Sequence, residues 1–464
     1  MNVNQLSRAS SLPHLVSGEG KDMGERSIDL PSRLLLNLEP WRHVAHWRIA
    51  FSGGLDSTVL LHLLATLANT ESLPALSAIH IHHGLQAAAD AWPQHCQDVC
   101  DALGVPLQVE RVTVKGGASL ERAARDARYA VFNSLTQADD ALLTGQHRDD
   151  QAETLLFRLL RGAGVRGLGA MPQQRPVGQG TLVRPLLDVS RAELEGYAQA
   201  HRLRWIEDPS NQDHQFSRNY LRHQAMPVLT ERWPQAQASM ARTAAHLREA
   251  QGLLDELAQI DLAQAETPHE FAWLGVPSLE LTTLTALSDA RQRNALSHWL
   301  EPLTRLPDAD HWSGWTTLCN AGADASPIWR LADGELHRSA GRVWWLSGNW
   351  LRTPVIGADW QTPTSALRLP DNGRVMLHGH APAGPLRIAY RQGGEVMQLA
   401  ERGSRDLKRL LNERAVPAFV RGRLPLLFRG EELLAVANLS GLAGQMDEGW
   451  TLHWQPTDED QGLS

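Results

Sequence analysis

The chain is predicted to be an α/β protein built on a doubly wound parallel sheet, followed by a mostly helical middle domain and a small α+β C-terminal domain. Three observations carry this. Between residues 48 and 160, short strand-like apolar runs alternate with stretches of helical period. After Arg222 the strand-like runs give way to helical periodicity. A stretch rich in Pro, Gly and polar residues at 353–385 then precedes a new unit starting near Leu386.

Residues 1–28 are rich in Ser and Gly, show no sustained period, and are expected to form a flexible tail. A strand at 48–51, a glycine turn and a helix at 57–68 come next. The alternation continues with a strand at 78–82, a helix at 87–103, a strand at 107–114, a helix at 119–136, a strand at 141–144 and a helix at 149–160. Such alternation implies right-handed crossovers in a sheet covered on both faces, with ligands beyond the carboxyl ends of the strands. Helices at 235–262 and 288–300 mark the middle unit. The expected domains are 29–225, 226–352 and 386–456, with 353–385 as a linker.

The composition restricts the functional classes. A chain of 464 residues with 42% hydrophobic and 21% charged residues belongs with soluble folded proteins. There is no apolar run of membrane-spanning length, and the first 30 residues do not follow a secretory pattern. Cys96, Cys100 and Cys319 form no disulfide or zinc-ribbon spacing, which fits a reducing compartment, so a cytoplasmic location without membrane attachment is expected. The net charge of −8 excludes a uniformly basic nucleic-acid binder, although a local basic surface would suffice for a polyanion.

The first motif is the loop Ser52-Gly53-Gly54-Leu55-Asp56-Ser57, placed where a strand turns into a helix. Two glycines let backbone N–H groups approach an anion at the positive end of the helix dipole, and the two serines add hydroxyl donors. Asp56 would repel a triphosphate unless a divalent cation lay between them, which assigns Asp56 to Mg2+ and the loop to ATP. The bland alternative is a glycine turn capped by an aspartate.

The second motif, Thr144-Gly145-Gln146-His147-Arg148-Asp149-Asp150-Gln151-Ala152-Glu153-Thr154, again feeds a strand into a helix. Asp150 and Glu153 share a helical face, suited to a cation or a basic substrate, and the competing reading is a capped, solvated helix start. Glu121, Arg125 and Arg128 line one face of the helix at 119–136, where Arg125 could meet phosphate or simply pair with Glu121. Asp208-Pro209-Ser210-Asn211 reads as turn chemistry leading to Arg218-Asn219-Tyr220-Leu221-Arg222. His80, His82, His83, His95, Cys96 and Cys100 suggest zinc, but their spacing favours structural residues. Twelve of the sixteen tryptophans follow residue 230, where core packing is the ordinary explanation.

The loop at 52–57 resembles the pyrophosphate loop of the N-type ATP pyrophosphatases, whose fold is Rossmann-like. With the 144–154 cluster, Arg125, Arg218 and Arg161-Gly162-Ala163-Gly164-Val165-Arg166-Gly167-Leu168, the stretch from about Leu35 to Arg222 is similar to the tRNA(Ile)-lysidine synthase family. So is the C-terminal stretch with Tyr390-Arg391-Gln392-Gly393-Gly394-Glu395, Arg405-Asp406-Leu407-Lys408-Arg409, Pro417 and Arg421 to Leu427. Residues 387–429 hold ten Arg plus Lys against four Asp plus Glu, so a tRNA contact through Arg391, Arg405, Lys408, Arg409, Arg421 and Arg423 is expected there. Two positions depart from the family pattern: Gln146, where many members carry His, and Gln86, where they carry a basic residue.

The resemblance implies a ligase that uses ATP to adenylate the C2 oxygen of the wobble cytidine in a tRNA(Ile) bearing a CAU anticodon. The ε-amine of L-lysine then displaces AMP. It implies ATP binding by Ser52, Gly53, Gly54, Leu55, Asp56 and Ser57, and charge stabilisation at the α-phosphate by Arg125 and Arg218. Lysine would be held by Asp150 and Glu153, with Asp150 favoured over His147 as proton acceptor. A tRNA-thiolating relative and a catalytically inactive RNA-binding relative are the alternatives. The sequence leaves open whether the chain forms a homodimer.

Overall fold

The computed structural model describes residues 29–84, 87–114, 120–213, 217–308, 310–322, 325–354, 356–399, 403–442 and 449–456. The expected tail at 1–28 and Gln86 lie outside them. The chain divides into two compact units, Met1–Ala250 and Gln251–Ser464. The division falls inside one long helix, 25 residues beyond the expected boundary.

In the first unit, α1 (Leu30–Leu38) precedes β1 (His46–Ala50), α2 (Leu55–Leu67), β2 (Ala75–His82), α3 (Trp92–Leu103), β3 (Leu107–Arg111), α4 (Leu120–Leu135), β4 (Asp140–Leu143) and α5 (Arg148–Leu159). There follow α6 (Val165–Leu168), β5 (Gln174–Val177), β6 (Gly180–Val183), α7 (Arg191–Ala200), α8 (Ser217–Tyr220), a π-helical turn Leu221–Ala225, α9 (Met226–Arg232) and α10 (Ala236–Ala265). The six-stranded sheet runs β3-β2-β1-β4-β6-β5, parallel except for β5, which pairs antiparallel with β6.

Both faces of the sheet are covered, and central β4 is buried at all four positions. Trp47 and Ile49 of β1 enter one core with Val59, Leu60, Leu63 and Leu64 of α2, while Ala50 packs against the other with Ile79, Leu142 and Leu182. Helix α2 is apolar nearly all round and correspondingly buried. Strand order reverses at β1, whose neighbours are β2 on one side and β4 on the other. Ligands bind at such a switch point beyond the carboxyl ends of the strands. The loops after β1 and β4 are the two motifs singled out above.

The second unit contains more strand than the sequence predicted. β7 (Ser278–Glu280), β8 (Ile328–Arg330), β9 (Glu335–Ser339) and β10 (Arg342–Leu346) form an antiparallel sheet in the order β7-β10-β9-β8. It packs with α11 (Leu281–Thr285), α12 (Asp289–Leu300) and α13 (Ser313–Asn320) around Leu262, Leu296, Leu300, Trp315, Trp329 and Trp345. The expectation that strands end at Arg222 therefore fails at 278–346, because strands of three to five residues carry too little alternation to register in a periodicity reading.

The stretch 353–385, expected as a linker, is folded. It supplies β11 (Ala358–Trp360), β12 (Leu367–Arg368) and β13 (Arg374–Gly379). With β14 (Leu386–Ala389), β15 (Val396–Leu399), β16 (Gly403–Asp406), α14 (Leu407–Glu413), β17 (Leu426–Arg429), β18 (Glu432–Val436) and β19 (Trp450–Gln455), these build sheets ordered β11-β14-β17-β18-β15-β16 and β12-β13-β19. The turn Pro370-Asp371-Asn372-Gly373 joins β12 to β13 as a hairpin. Gly373 has φ +67, and a Cβ there would stand 1.8 Å from the Gln455 carbonyl oxygen. The tryptophans after residue 230 are largely core residues: Trp315, Trp329, Trp344, Trp345, Trp360, Trp450 and Trp454 are all buried. No helix among the described residues is long and apolar enough to cross a membrane.

Candidate active site

After β1 the chain enters the loop at Phe51 and turns at Gly53, whose φ of +82 is a left-handed value that glycine tolerates. Gly54 caps α2. A Cβ on Gly53 would stand 2.6 Å from Ile206 Cδ1, so the loop is sealed against the segment behind it. Side chains fix the turn from within. Ser57 Oγ donates to the Gly54 carbonyl at 3.0 Å and lies 3.0 Å from Ser52 Oγ, and the Gly54 N–H donates to Ser52 Oγ at 3.3 Å.

β4 lies directly beside β1, so the loop at 144–147 touches the first loop. A Cβ on Gly145 would stand 3.0 Å from the Asp56 carbonyl carbon and 3.1 Å from the Ser57 nitrogen. His147 then caps α5: its Nδ1 accepts from the Asp149 N–H at 3.2 Å, and Asp150 Oδ2 accepts from the His147 N–H at 3.2 Å. An accepting Nδ1 places the proton of a neutral imidazole on Nε2. That buried nitrogen faces Asp56 Oδ2 at 3.7 Å and Asp150 Oδ2 at 3.6 Å, with no hydrogen-bond partner. The helix start is capped, as the competing reading expected, but it is not solvated: Asp149, Asp150, Gln151 and Glu153 are all buried.

Two arginines some 70 positions further along close over these carboxylates. Arg222 Nε donates to Glu153 Oε1 at 2.6 Å, and its Nη2 reaches Glu153 Oε2 and Asp150 Oδ1, both at 2.9 Å. Arg218 lies further off, with Nε 3.3 Å from Glu153 Oε2 and Nη2 3.4 Å from Asp150 Oδ1. Both face one way because α8 runs straight into the π-helical turn, which holds Arg218 and Arg222 on one side of the chain. Sequence reasoning assigned Arg218 and overlooked Arg222, although their four-residue spacing was a legible signal.

Electrostatics separate the carboxylates. Burial would raise Asp150, but His147, Arg218 and Arg222 outweigh it and hold the group below the ordinary carboxylate range. Burial raises Asp56 above that range, opposed by His147 and reinforced by the Asp150 charge, and its Oδ1 is buried without a partner. Arg222, although buried, is held more firmly protonated by Glu153 and Asp150.

Other predicted residues are placed differently. Arg125 is an exposed residue on α4 with its guanidinium carbon 4.8 Å above the Tyr129 ring. It makes no hydrogen bond to the loop at 52–57 among the described residues. His80 Nδ1 and Cys96 Sγ meet at 3.3 Å, and no group of three metal-ligating side chains exists among the described residues. Burial pushes the thiols of Cys96 and Cys100 up to about 12.

In the second unit Arg405, Lys408 and Arg409 are exposed around α14, with Arg409 paired to Glu413 at 3.0 Å. Arg391 pairs with Glu395 at 3.6 Å, and Arg421 donates to the Val416 carbonyl at 2.8 Å. Arg423 needs correction as a tRNA contact. It is 3% exposed, with its guanidinium bound to the carbonyls of Asn349 and Asp371, both at 2.7 Å, and of Arg352. A guanidinium enclosed by carbonyls is a structural clamp.

Residues 31–229 match the PP-loop domain family, residues 279–344 the TilS substrate binding domain and residues 386–454 the TilS substrate C-terminal domain. A tRNA(Ile)-lysidine synthase of Pseudomonas fluorescens is 78% identical over 441 residues, covering 95% of this chain and 100% of the relative. One from Escherichia coli O157:H7 is 40% identical over 84% of this chain and 91% of its own. Among solved structures, a crystal structure of a TilS C-terminal domain is 24% identical, with a TM-score of 0.18, over 22% of this chain and 100% of its own. Identity of this order along nearly the full length of both chains settles the family: this chain belongs to the tRNA(Ile)-lysidine synthases.

Proposed function

We propose that the chain ligates L-lysine to C2 of the wobble cytidine of a tRNA(Ile) with a CAU anticodon, at the expense of ATP. In the first step the C2 oxygen of the base attacks the α-phosphorus and pyrophosphate leaves. In the second, the lysine ε-amine attacks C2, its proton passes to the protein, and AMP leaves with the oxygen. The product is lysidine, which reads AUA in place of AUG.

The observation that carries this reading is the pair of buried carboxylates, Asp150 and Glu153, held one strand away from the phosphate loop and already occupied by cations. The guanidiniums of Arg222 and Arg218 stand where a lysine ammonium would find both carboxylates. Arg218, the more exposed and more loosely held of the two, is the one that yields and turns to the α-phosphate, where developing negative charge rewards it. Its departure removes a cation from Asp150 and raises that carboxylate toward a useful base. Asp150 is thus the proton acceptor, because His147 Nδ1 is committed to the helix cap and Nε2 carries the proton.

Ser52 to Ser57 would hold the pyrophosphate portion of ATP through backbone N–H groups and hydroxyls. Mg2+ belongs to the same reading. The unpartnered, buried Asp56 Oδ1 fits a single-carboxylate attachment, with phosphate oxygens and water completing the shell. The ion would supply charge neutralisation of the triphosphate. The exposed basic residues Arg405, Lys408 and Arg409 suit a tRNA backbone contact.

The test is covalent transfer of labelled lysine to an unmodified CAU-anticodon transcript, dependent on ATP. Transfer to a CAU transcript of tRNA(Ile) but not of tRNA(Met) is the expected result. No AMP release in the presence of lysine and transcript would defeat the proposal.

A further inference from the structure

At the same carboxyl edge of the sheet, on the β6 side, lies a positive cluster that the reaction above leaves unused. Tyr129 of α4 is seated by the core through an edge-on contact with Phe132, ring centres 5.9 Å apart. Around it stand three guanidiniums. Arg125 has its guanidinium carbon 4.8 Å from the ring centre and Nη2 3.5 Å from the phenol oxygen, and Arg175 of β5 stands 4.3 Å from the ring centre. Arg184, one residue past β6 and 4% exposed, spends Nη1 on the Pro172 carbonyl at 2.8 Å and leaves Nε buried without a partner. None of the three has a carboxylate within ion-pair distance among the described residues.

Gathering three cations and a phenol in a partly desolvated place, with no counter-charge, is costly unless an anion completes it. The mutual repulsion is visible. Burial lowers Arg184, opposed by Tyr129 and reinforced by the charges of Arg175 and Arg125. Burial would raise the Tyr129 phenol, but Arg125, Arg175 and Arg184 together bring it below its ordinary value. Arg158 feels the same field: burial lowers it first, then the charges of Arg125 and Arg218.

We propose that Tyr129, Arg125, Arg175 and Arg184 form a phosphodiester subsite for the RNA strand entering the active site, separate from the pyrophosphate loop. The strand order supports an RNA phosphate over an ATP phosphate. The triphosphate site lies at the end of β1, whereas Arg184 follows β6, with β4 between them. Two strand spacings are roughly 10 Å. Arg125, expected from the sequence at the α-phosphate, accordingly serves the nucleic acid. Arginine beside an aromatic ring also suits an unstacked strand, whose bases stack on such surfaces.

This inference rests on the proposed tRNA substrate. The experiment measures binding of an unmodified CAU transcript to the full chain across a potassium chloride series, alongside binding of a non-hydrolysable ATP analogue. Arg175→Gln is expected to weaken RNA binding on the order of tenfold and to reduce the slope of log affinity against log salt by about one, with ATP-analogue affinity unchanged. Arg125→Gln, at an exposed helix position, repeats the measurement where folding is not at risk, and is expected to give the same pattern. Unchanged RNA affinity and slope in both variants overturn the subsite. Loss of ATP-analogue affinity with RNA binding intact also overturns it, and gives the cluster to the nucleotide. If the unaltered chain fails to bind the transcript, the tRNA reading itself falls.

Discussion

Replacing Asp150 with Asn keeps the shape of the side chain and removes its charge. In the native site Oδ1 accepts from Arg222 Nη2 at 2.9 Å while Oδ2 accepts from the His147 N–H at 3.2 Å. An amide has one oxygen, so either the helix cap or the arginine contact meets an N–H donor instead. Loss of a cap costs about 1 kcal/mol. A charge-assisted hydrogen bond to the lysine ammonium is worth about 1.5–3 kcal/mol, which predicts a lysine KM raised roughly 10- to 150-fold. In the proposed sequence adenylation precedes the attack by lysine, so pyrophosphate release with tRNA and ATP alone is expected to stay within about threefold of the unaltered protein. The assay is labelled-lysine transfer across a lysine series, with pyrophosphate release measured separately. Full transfer at an unchanged lysine KM would refute both the ammonium contact and the proton-acceptor role. The pH dependence has a definite sign. The folded-state value of Asp150 lies below 3.8, so its contribution to stability is present above that pH and is lost as the pH falls through the folded value. Asp150→Asn abolishes that dependence.

Four further outcomes are expected. Gly145→Ala drives a Cβ against the Asp56 and Ser57 backbone at 3.0 and 3.1 Å, which should raise the ATP KM by about tenfold through an overpacking cost of roughly 1–3 kcal/mol; an unaltered ATP titration of pyrophosphate release would contradict this. His83 is depressed to about 4 by burial, then by Arg128, His80 and His82, so it is neutral when folded. Stability should therefore rise with pH between about 4 and 6.5, and His83→Gln should flatten that rise in urea unfolding curves taken across the range. Cys96 and Cys100, pushed up to about 12 by burial, should resist alkylation at pH 8 until the chain is denatured, and their contribution to stability should be lost as pH rises from about 9 to 12. Reversing the exposed charges with Lys408→Glu and Arg409→Glu should weaken transcript binding and its salt dependence without altering the ATP KM; a change in ATP KM alone would remove these residues from the tRNA contact.

What was legible in the sequence is what depends on neighbours in the chain. The strand, glycine turn and helix around Ser52 to Ser57 follow from local backbone preferences, and so does the capped start of α5 at His147 with Asp150 three residues on. The parallel sheet followed from alternation, since successive strands and helices long enough to bury a face must show their period. Strands of three to five residues in 278–346 and β11 and β13 within 353–385 escaped, because such elements take their stability from partners distant in sequence, β14 and β19 for the latter two. The exposure of a charged residue is also a tertiary property: Arg409 and Arg423 are alike in the sequence, yet one lies on a solvated helix face and the other is enclosed by carbonyls. The carboxylate site shows the division most clearly. The sequence by itself placed Asp150 and Glu153 on one helical face, while only the tertiary structure brought Arg218 and Arg222 across more than 60 intervening residues to cover them. A buried charge has to be compensated wherever the fold can deliver a partner, and no local pattern records where that partner comes from.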